Sequence, residues 1–163
     1  MSRSTLVSKP PAAQPALELE SFFPYQMAVL AQAVSLSMAQ IYSRRFDLSR
    51  DEWRVLAALS GAAPVRTAAV IERATLDKLS VSRALRRMVA KGLVERTPDP
   101  EDGRGYLLRL LPPGRALLRQ VVPMVRARED LLLETLSAAE RRMMQGAFDK
   151  LLARAHQLAR QDY

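Results

Sequence analysis

The segment "DKLSVSRALRRMVAKG", Asp77–Gly92, followed by "RTPDPEDGRGYLLRLLPPG", Arg96–Gly114, decides how this chain folds. On a helical wheel at roughly 100° per residue, Val81, Leu85, Met88 and Val89 fall on one arc, which is expected to face a core. Ser80, Ser82, Arg83, Arg86, Arg87 and Lys91 share the remaining arc, and no acidic residue joins them. Asp77 stands where an N-cap accepts from the first turn and complements the positive end of the helix dipole. Gly92 is placed to end the helix in a left-handed cap. The spacing therefore predicts a helix over 78–90 with a basic outer face.

Just before it, a short helix over 66–74 is separated from 78–90 by only "TLD". Just after it, "LVERT" and "YLLRLL" read as two short strands flanking the acidic, Pro- and Gly-rich stretch. That stretch admits three readings: a metal loop, a linker or a hairpin tip. A calcium register with Gly103 at the sixth position puts Pro98 and Pro100 at ligand positions and Arg109 where a bidentate Glu belongs, so it fails. Patterned strands on both sides argue against a free linker. A hairpin remains, with Gly103 and Gly105 permitting a tight tip and Arg104 held between them. Asp102 either pairs with a nearby arginine to brace the tip or serves turn chemistry alone.

Outward from this centre the pattern is helical. Residues 20–45 carry Met27, Leu30, Val34, Met38 and Ile41 on a helical period. "LSRDEWRVLAALS" opens with a capping box, Ser49 and Glu52, and ends by Gly61. After "PPG" a long helix is expected over about 115–136. A second capping box, Ser137 and Glu140, starts the last helix, which runs to about residue 160 with Met144, Phe148, Leu151, Leu152, Ala155 and Leu158 on its apolar side. The first 18 residues, rich in Pro, Ala and Ser, read as a disordered arm.

The chain has 163 residues, 48% of them hydrophobic and 26% charged, with a net charge of +8. That length fits one domain, and that charge suits an acidic partner. Between Arg66 and Arg119 there are twelve basic and six acidic residues, so most of the excess sits in the central third. With no cysteine, disulfides, thiolate metal sites and cysteine nucleophiles are excluded. No apolar run reaches the length that spans a bilayer, and the N-terminus lacks the apolar block of a secretory signal. A cytoplasmic protein without membrane association is expected.

Helix, helix, short helix, helix, hairpin, long helix, long helix is the winged helix-turn-helix order. The expected fold is mainly α with a small β-hairpin wing, carried on long N- and C-terminal helices that pair two copies through their leftover apolar faces. A monomeric bundle using those faces internally is the alternative. The boundaries are an arm over 1–18, a dimerisation helix over 19–48, the DNA-binding domain over 49–114 and dimerisation helices over 115–163.

Between Glu52 and about Leu118 the chain resembles the MarR family of winged-helix transcription regulators. The residues that carry this are "LDKLSVSRALRRMVAKGLVERTPDPEDGRGYLLRLLPPGRALL": the recognition helix, the Lys-Gly before the first wing strand, the Asp-x-Arg of the wing and the Gly entering the long dimer helix. The resemblance implies that Ser80, Ser82, Arg83 and Arg86 face the major groove, with Arg87 on the same basic arc. It implies that Asp102 braces the wing and that Arg104 enters the minor groove. Arg66 stands where the family often has a Thr cap, so Thr67 is expected to take that role at the DNA-facing end of the short helix. Leu111 replaces the usual Thr before the dimer helix.

The resemblance further implies double-stranded DNA and a second copy of the chain as partners, and an effector pocket between the winged domain and the dimer helices. Family inducers are often aromatic or phenolic acids or their coenzyme A thioesters, and repression is the simplest mode of action. Tyr25, Met38, Tyr42, Arg45 and Trp53 are candidates: the apolar groups to enclose a ring, Arg45 to pair with a carboxylate or phosphate. Core packing is the competing role for these residues. A DNA-binding architectural protein without a ligand is the alternative function.

Catalysis is not expected. His156 is the single histidine and stands beside arginines. No Gly-rich phosphate loop, H-E-x-x-H or nucleophile elbow occurs. No catalytic residue, metal ligand or cofactor is assigned.

Overall fold

The structure, a computed structural model, describes residues 17–161, the side chain of Arg104 excepted. Nearly all of the 1–18 arm therefore lies outside the described residues. Two compact units divide at residues 36 and 37, within the first long helix. In the first, a 3-10 turn at Leu19–Ser21 leads into α1, Phe23–Phe46. The Gln26 side chain closes this entry by donating to the Glu20 carbonyl at 2.8 Å.

The second unit holds the rest of α1 and then α2 (Arg50–Ala58), β1 (Val65–Arg66), α3 (Thr67–Ala74), α4 (Lys78–Ala90), β2 (Val94–Asp99), β3 (Asp102–Leu110), α5 (Pro112–Leu133) and α6 (Ala138–Leu158). The three strands form an antiparallel sheet in the order β1-β3-β2. β2 is an edge, which lets Pro98 sit in it without breaking a ladder hydrogen bond on a second side. One core joins these elements, with Val55 and Leu56 from α2, Val70 from α3, and Val81, Ala84, Leu85 and Met88 from α4. Val94 and Leu108 from the sheet and Val121 from α5 complete it.

Local chemistry sets the helix ends. Ser49 Oγ accepts from the Glu52 N–H at 3.2 Å, and Glu52 accepts from the Ser49 N–H at 2.7 Å, so both halves of the capping box form. The Ser137–Glu140 box forms likewise. At the end of α4, Gly92 takes φ +65°, and the Leu93 N–H reaches the Met88 carbonyl at 2.9 Å. The Gly92 N–H reaches the Val89 carbonyl at 3.0 Å, which completes a Schellman cap.

Several expectations shift. Helix α5 begins at Pro112 instead of residue 115, because proline's fixed φ and missing N–H suit the first helical turn. It ends at Leu133, short of residue 136, and carries Pro123 in its interior. Thr67 does not cap α3: the N-cap is Arg66, with no side-chain cap bond, and the Thr67 hydroxyl donates to the Tyr106 carbonyl at 3.1 Å. Val89, placed on the core arc, is instead 41% exposed.

The Glu52 carboxylate is 3% exposed and meets cations from α4 as well as its own cap. Arg87 Nε lies 3.3 Å and Lys91 Nζ 3.6 Å from Glu52 Oε1. Burial pushes the carboxyl up, but the Ser49 N–H and hydroxyl, Lys91 and Arg87 outweigh it and hold the group below its ordinary value of 4.5. A depressed folded-state pKa stabilises the protein above the unfolded value, and that contribution fades as pH falls through the folded one. Glu52→Gln is therefore expected to cost about 1–3 kcal/mol at pH 7. In thermal melts the gap to the wild type should close as pH drops below 4.5. A gap that does not change with pH would contradict this role.

Candidate nucleic-acid interface

Helix α4 exists in its observed position because one stripe of it is apolar and buried. Val81, Ala84, Leu85 and Met88 are between 0% and 5% exposed. The opposite stripe follows from the same period: Leu79, Ser82, Arg83 and Arg86 all face outward. Arg83 and Arg86 form no ion pair with any described carboxylate. The Asp77 side chain accepts from the Ser80 N–H at 2.8 Å, fixing the start of the helix. That N–H, with the Ser80 hydroxyl, holds the Asp77 carboxyl below its usual range.

Two members of the basic outer arc are corrected by these contacts. Ser80 is buried, and its hydroxyl donates to Asp77 Oδ2 at 2.7 Å, so it is part of the cap. Arg87 turns back toward α2: besides Glu52 it donates to Ser49 Oγ at 3.2 Å. Lys91 likewise donates to the Asp47 carbonyl at 2.8 Å. Arg87 and Lys91 thus secure the helix to the end of α1 and the start of α2, while Arg83 and Arg86 stay outward.

The wing is longer than the strand-like segments suggested. Its register pairs Val94 with Leu110, Arg96 with Leu108 and Pro98 with Tyr106, and it shifts at Asp99, which faces Asp102. The tip is therefore Pro100–Glu101, and Gly103–Gly105 lie at the start of β3. Asp99 makes this turn by accepting from the Glu101 N–H at 3.0 Å. Gly105 leaves room for the Asp102 side chain: a Cβ there would lie 2.7 Å from Asp102 Oδ2, which would have to move.

Arg66 braces the wing, a role not assigned to it from the sequence. Its Nε donates to Asp99 Oδ2 at 2.8 Å, and its other end pairs with Glu101. Its hydrogen bonds to Asp99, then to Glu101, raise the Arg66 pKa further above its ordinary range. The Glu101 N–H first, with help from Arg66, depresses that of Asp99. The signal was present in part: Arg66 occupies a cap position that its side chain cannot cap. Asp102 is exposed, and its carboxylate lies against Gly105.

Between α3, α4 and the wing runs a cleft of about 390 Å³ lined by Thr67, Lys78, Ser82, Arg96 and Tyr106 among others. The Arg96 guanidinium stacks over the Tyr106 ring at 3.4 Å from its centroid. Neither residue was picked out from the sequence, since a cross-strand stack needs the register to be known. Backbone placement puts Arg104 in β3, three residues beyond the tip.

Four of the candidate effector residues lie in the second unit. Tyr42 is 1% exposed and stacks on Trp53, with centroids 5.7 Å apart and an interplanar angle of 16°. Met38 packs against the same core. Arg45 is exposed and approaches the Met124 sulfur at 3.9 Å. Tyr25 is exposed in the first unit.

A helix with a buried apolar stripe, a tight turn before it and a braced hairpin after it define a winged helix-turn-helix protein. Residues 46–105 match the model of the MarR family. The chain is 31% identical over 95 residues to the HTH-type transcriptional repressor NicR of Pseudomonas putida, a match covering 58% of this chain and 60% of NicR. The PcaV regulator of Streptomyces coelicolor, solved in complex with its natural ligand, is 27% identical with a TM-score of 0.72, covering 90% of this chain and 99% of PcaV. A mutant MarR from E. coli complexed with operator DNA is 25% identical with a TM-score of 0.74, covering 84% of this chain and 99% of that one.

The two arginines of α4 are expected to separate by experiment. Arg87→Ala should lower stability by about 1 kcal/mol, the half-exposed guanidinium being partly screened. Arg83→Ala should leave the denaturation midpoint within about 0.5 kcal/mol of wild type. Equal losses in chemical denaturation would contradict the division between them.

Proposed function

We propose that the protein is a ligand-responsive transcriptional repressor that binds a pseudo-palindromic DNA operator as a homodimer. The observation that carries this reading is the exposed stripe of α4. It offers Ser82, Arg83 and Arg86 without a carboxylate, on a chain of net charge +8. Arginines so placed make bidentate contacts to guanine or grip phosphates, and a small hydroxyl allows close approach to base edges. Arg104 is proposed for the minor groove, with Asp102 steadying the strand that carries it. Thr67 joins α3 to the wing at the same surface, through its bond to the Tyr106 carbonyl.

Homodimerisation is supported by apolar surface that the described residues leave uncovered. No residue of α6 is buried, and Phe148, Leu151, Leu152 and Leu158 are all at least 40% exposed. A second copy of the same helices satisfies these faces and brings two α4 helices to half-sites about one helical turn apart. The proposed effector is a small aromatic or phenolic acid or its thioester, with exposed Arg45 as the group for its carboxylate. A ligand that binds better to the form with the wrong half-site spacing draws the protein off DNA. A second reading, a DNA-binding protein without effector, is favoured by the Tyr42–Trp53 stack, in which the two rings fill each other's space.

Two measurements test the proposal. Operator affinity should fall steeply with salt, with a log–log slope of about −5 or beyond for roughly six neutralised phosphates, and Arg104→Ala should cost about 1–3 kcal/mol. A flat salt dependence or an unchanged Arg104→Ala affinity would overturn the interface. Leu151→Asp with Leu152→Asp should shift sedimentation from dimer to monomer, and a dimer that survives would place the pairing surface elsewhere.

A further inference from the structure

Leu79 stands on the exposed stripe of α4, in the first turn after the Asp77 cap. It is 62% exposed, more than any other large hydrophobic described between residues 49 and 114. Single exposed hydrophobes are ordinary, so exposure alone says little. Its neighbours give it meaning. Ser82 and Arg83 lie three and four residues on and Arg86 seven on, so the four side chains share one face. Ser80 is spent on the cap and Arg87 on Glu52, which removes both from that face. What remains near the start of α4 is one apolar group beside a hydroxyl and arginines, in a turn that carries no carboxylate after the cap.

We infer that Leu79 reads the C5-methyl group of a thymine in each operator half-site, next to the bases contacted by Ser82 and Arg83. The inference rests on the DNA-binding reading above. The N-terminal residues of a recognition helix reach base edges, and the thymine methyl is the one apolar feature of the major-groove edge. The positive charge around Leu79 favours DNA over an apolar protein partner as its occupant.

The test uses the full chain and an operator obtained by selection from random duplexes. Each thymine is replaced singly by deoxyuridine, which removes the methyl and nothing else. The wild type should lose about threefold to tenfold in affinity at one position per half-site, the order expected for one buried methyl group. Leu79→Ala should lose a similar factor on the unmodified operator and become indifferent to that replacement, while Arg83→Ala keeps the discrimination. Two outcomes would overturn the inference: a wild type indifferent to deoxyuridine everywhere, or a Leu79→Ala protein that discriminates as the wild type does. Selection that yields no preferred sequence would overturn the DNA-reading proposal itself, and is distinct from both.

Discussion

Glu52 places a nearly buried carboxylate, 3% exposed, at the point where the start of α2, the end of α1 and α4 meet. A buried charge of this kind is costly unless it is met by partners, and removing one of them leaves it uncompensated. Here the Ser49 N–H, Arg87 and Lys91 meet it together. Lys91 extends the link to the Asp47 carbonyl at the end of α1. The rotation of α4 about its own axis follows from this anchor together with the apolar stripe from Val81 to Met88. Everything that α4 shows to solvent depends on that rotation.

The anchor also sorts charges that look equivalent along the chain. Arg83, Arg86, Arg87 and Lys91 all lie on one side of a helical wheel, but the latter two are drawn to the protein. A second brace acts in the same manner at the other edge of the surface: Arg66, a cation beside the interface, is held by Asp99 and Glu101 and fixes the hairpin turn. The acidic residues of the wing are therefore internal counterions and turn formers. Most of them sit against a named arginine or backbone N–H, which leaves the outer face of α4 positive.

Much of this was legible from local sequence. The span of α4, the Asp77 cap, both Ser–Glu capping boxes and the Gly92 terminator depend on residues within five positions of one another. Two of the misplacements have a different cause. The hairpin tip moved to Pro100–Glu101 because Asp99 is held by Arg66, 33 residues away in sequence. Arg87 left the outer face for a carboxylate 35 residues away. Ser80 turned inward because its hydroxyl had a nearer use at Asp77, a choice no wheel encodes. Sites built from long-range pairs were thus the parts hidden in the sequence, and Arg66 is the clearest case.

We propose that α4 lies in the major groove with Arg83 and Arg86 toward guanine edges. Methylation interference at guanine N7 tests it most directly, since that atom lines the major groove and is absent from the minor one. The account predicts that methylating one or two guanines in each half-site abolishes binding, in two clusters about one helical turn apart. Binding that tolerates N7 methylation throughout a specifically selected operator would contradict it.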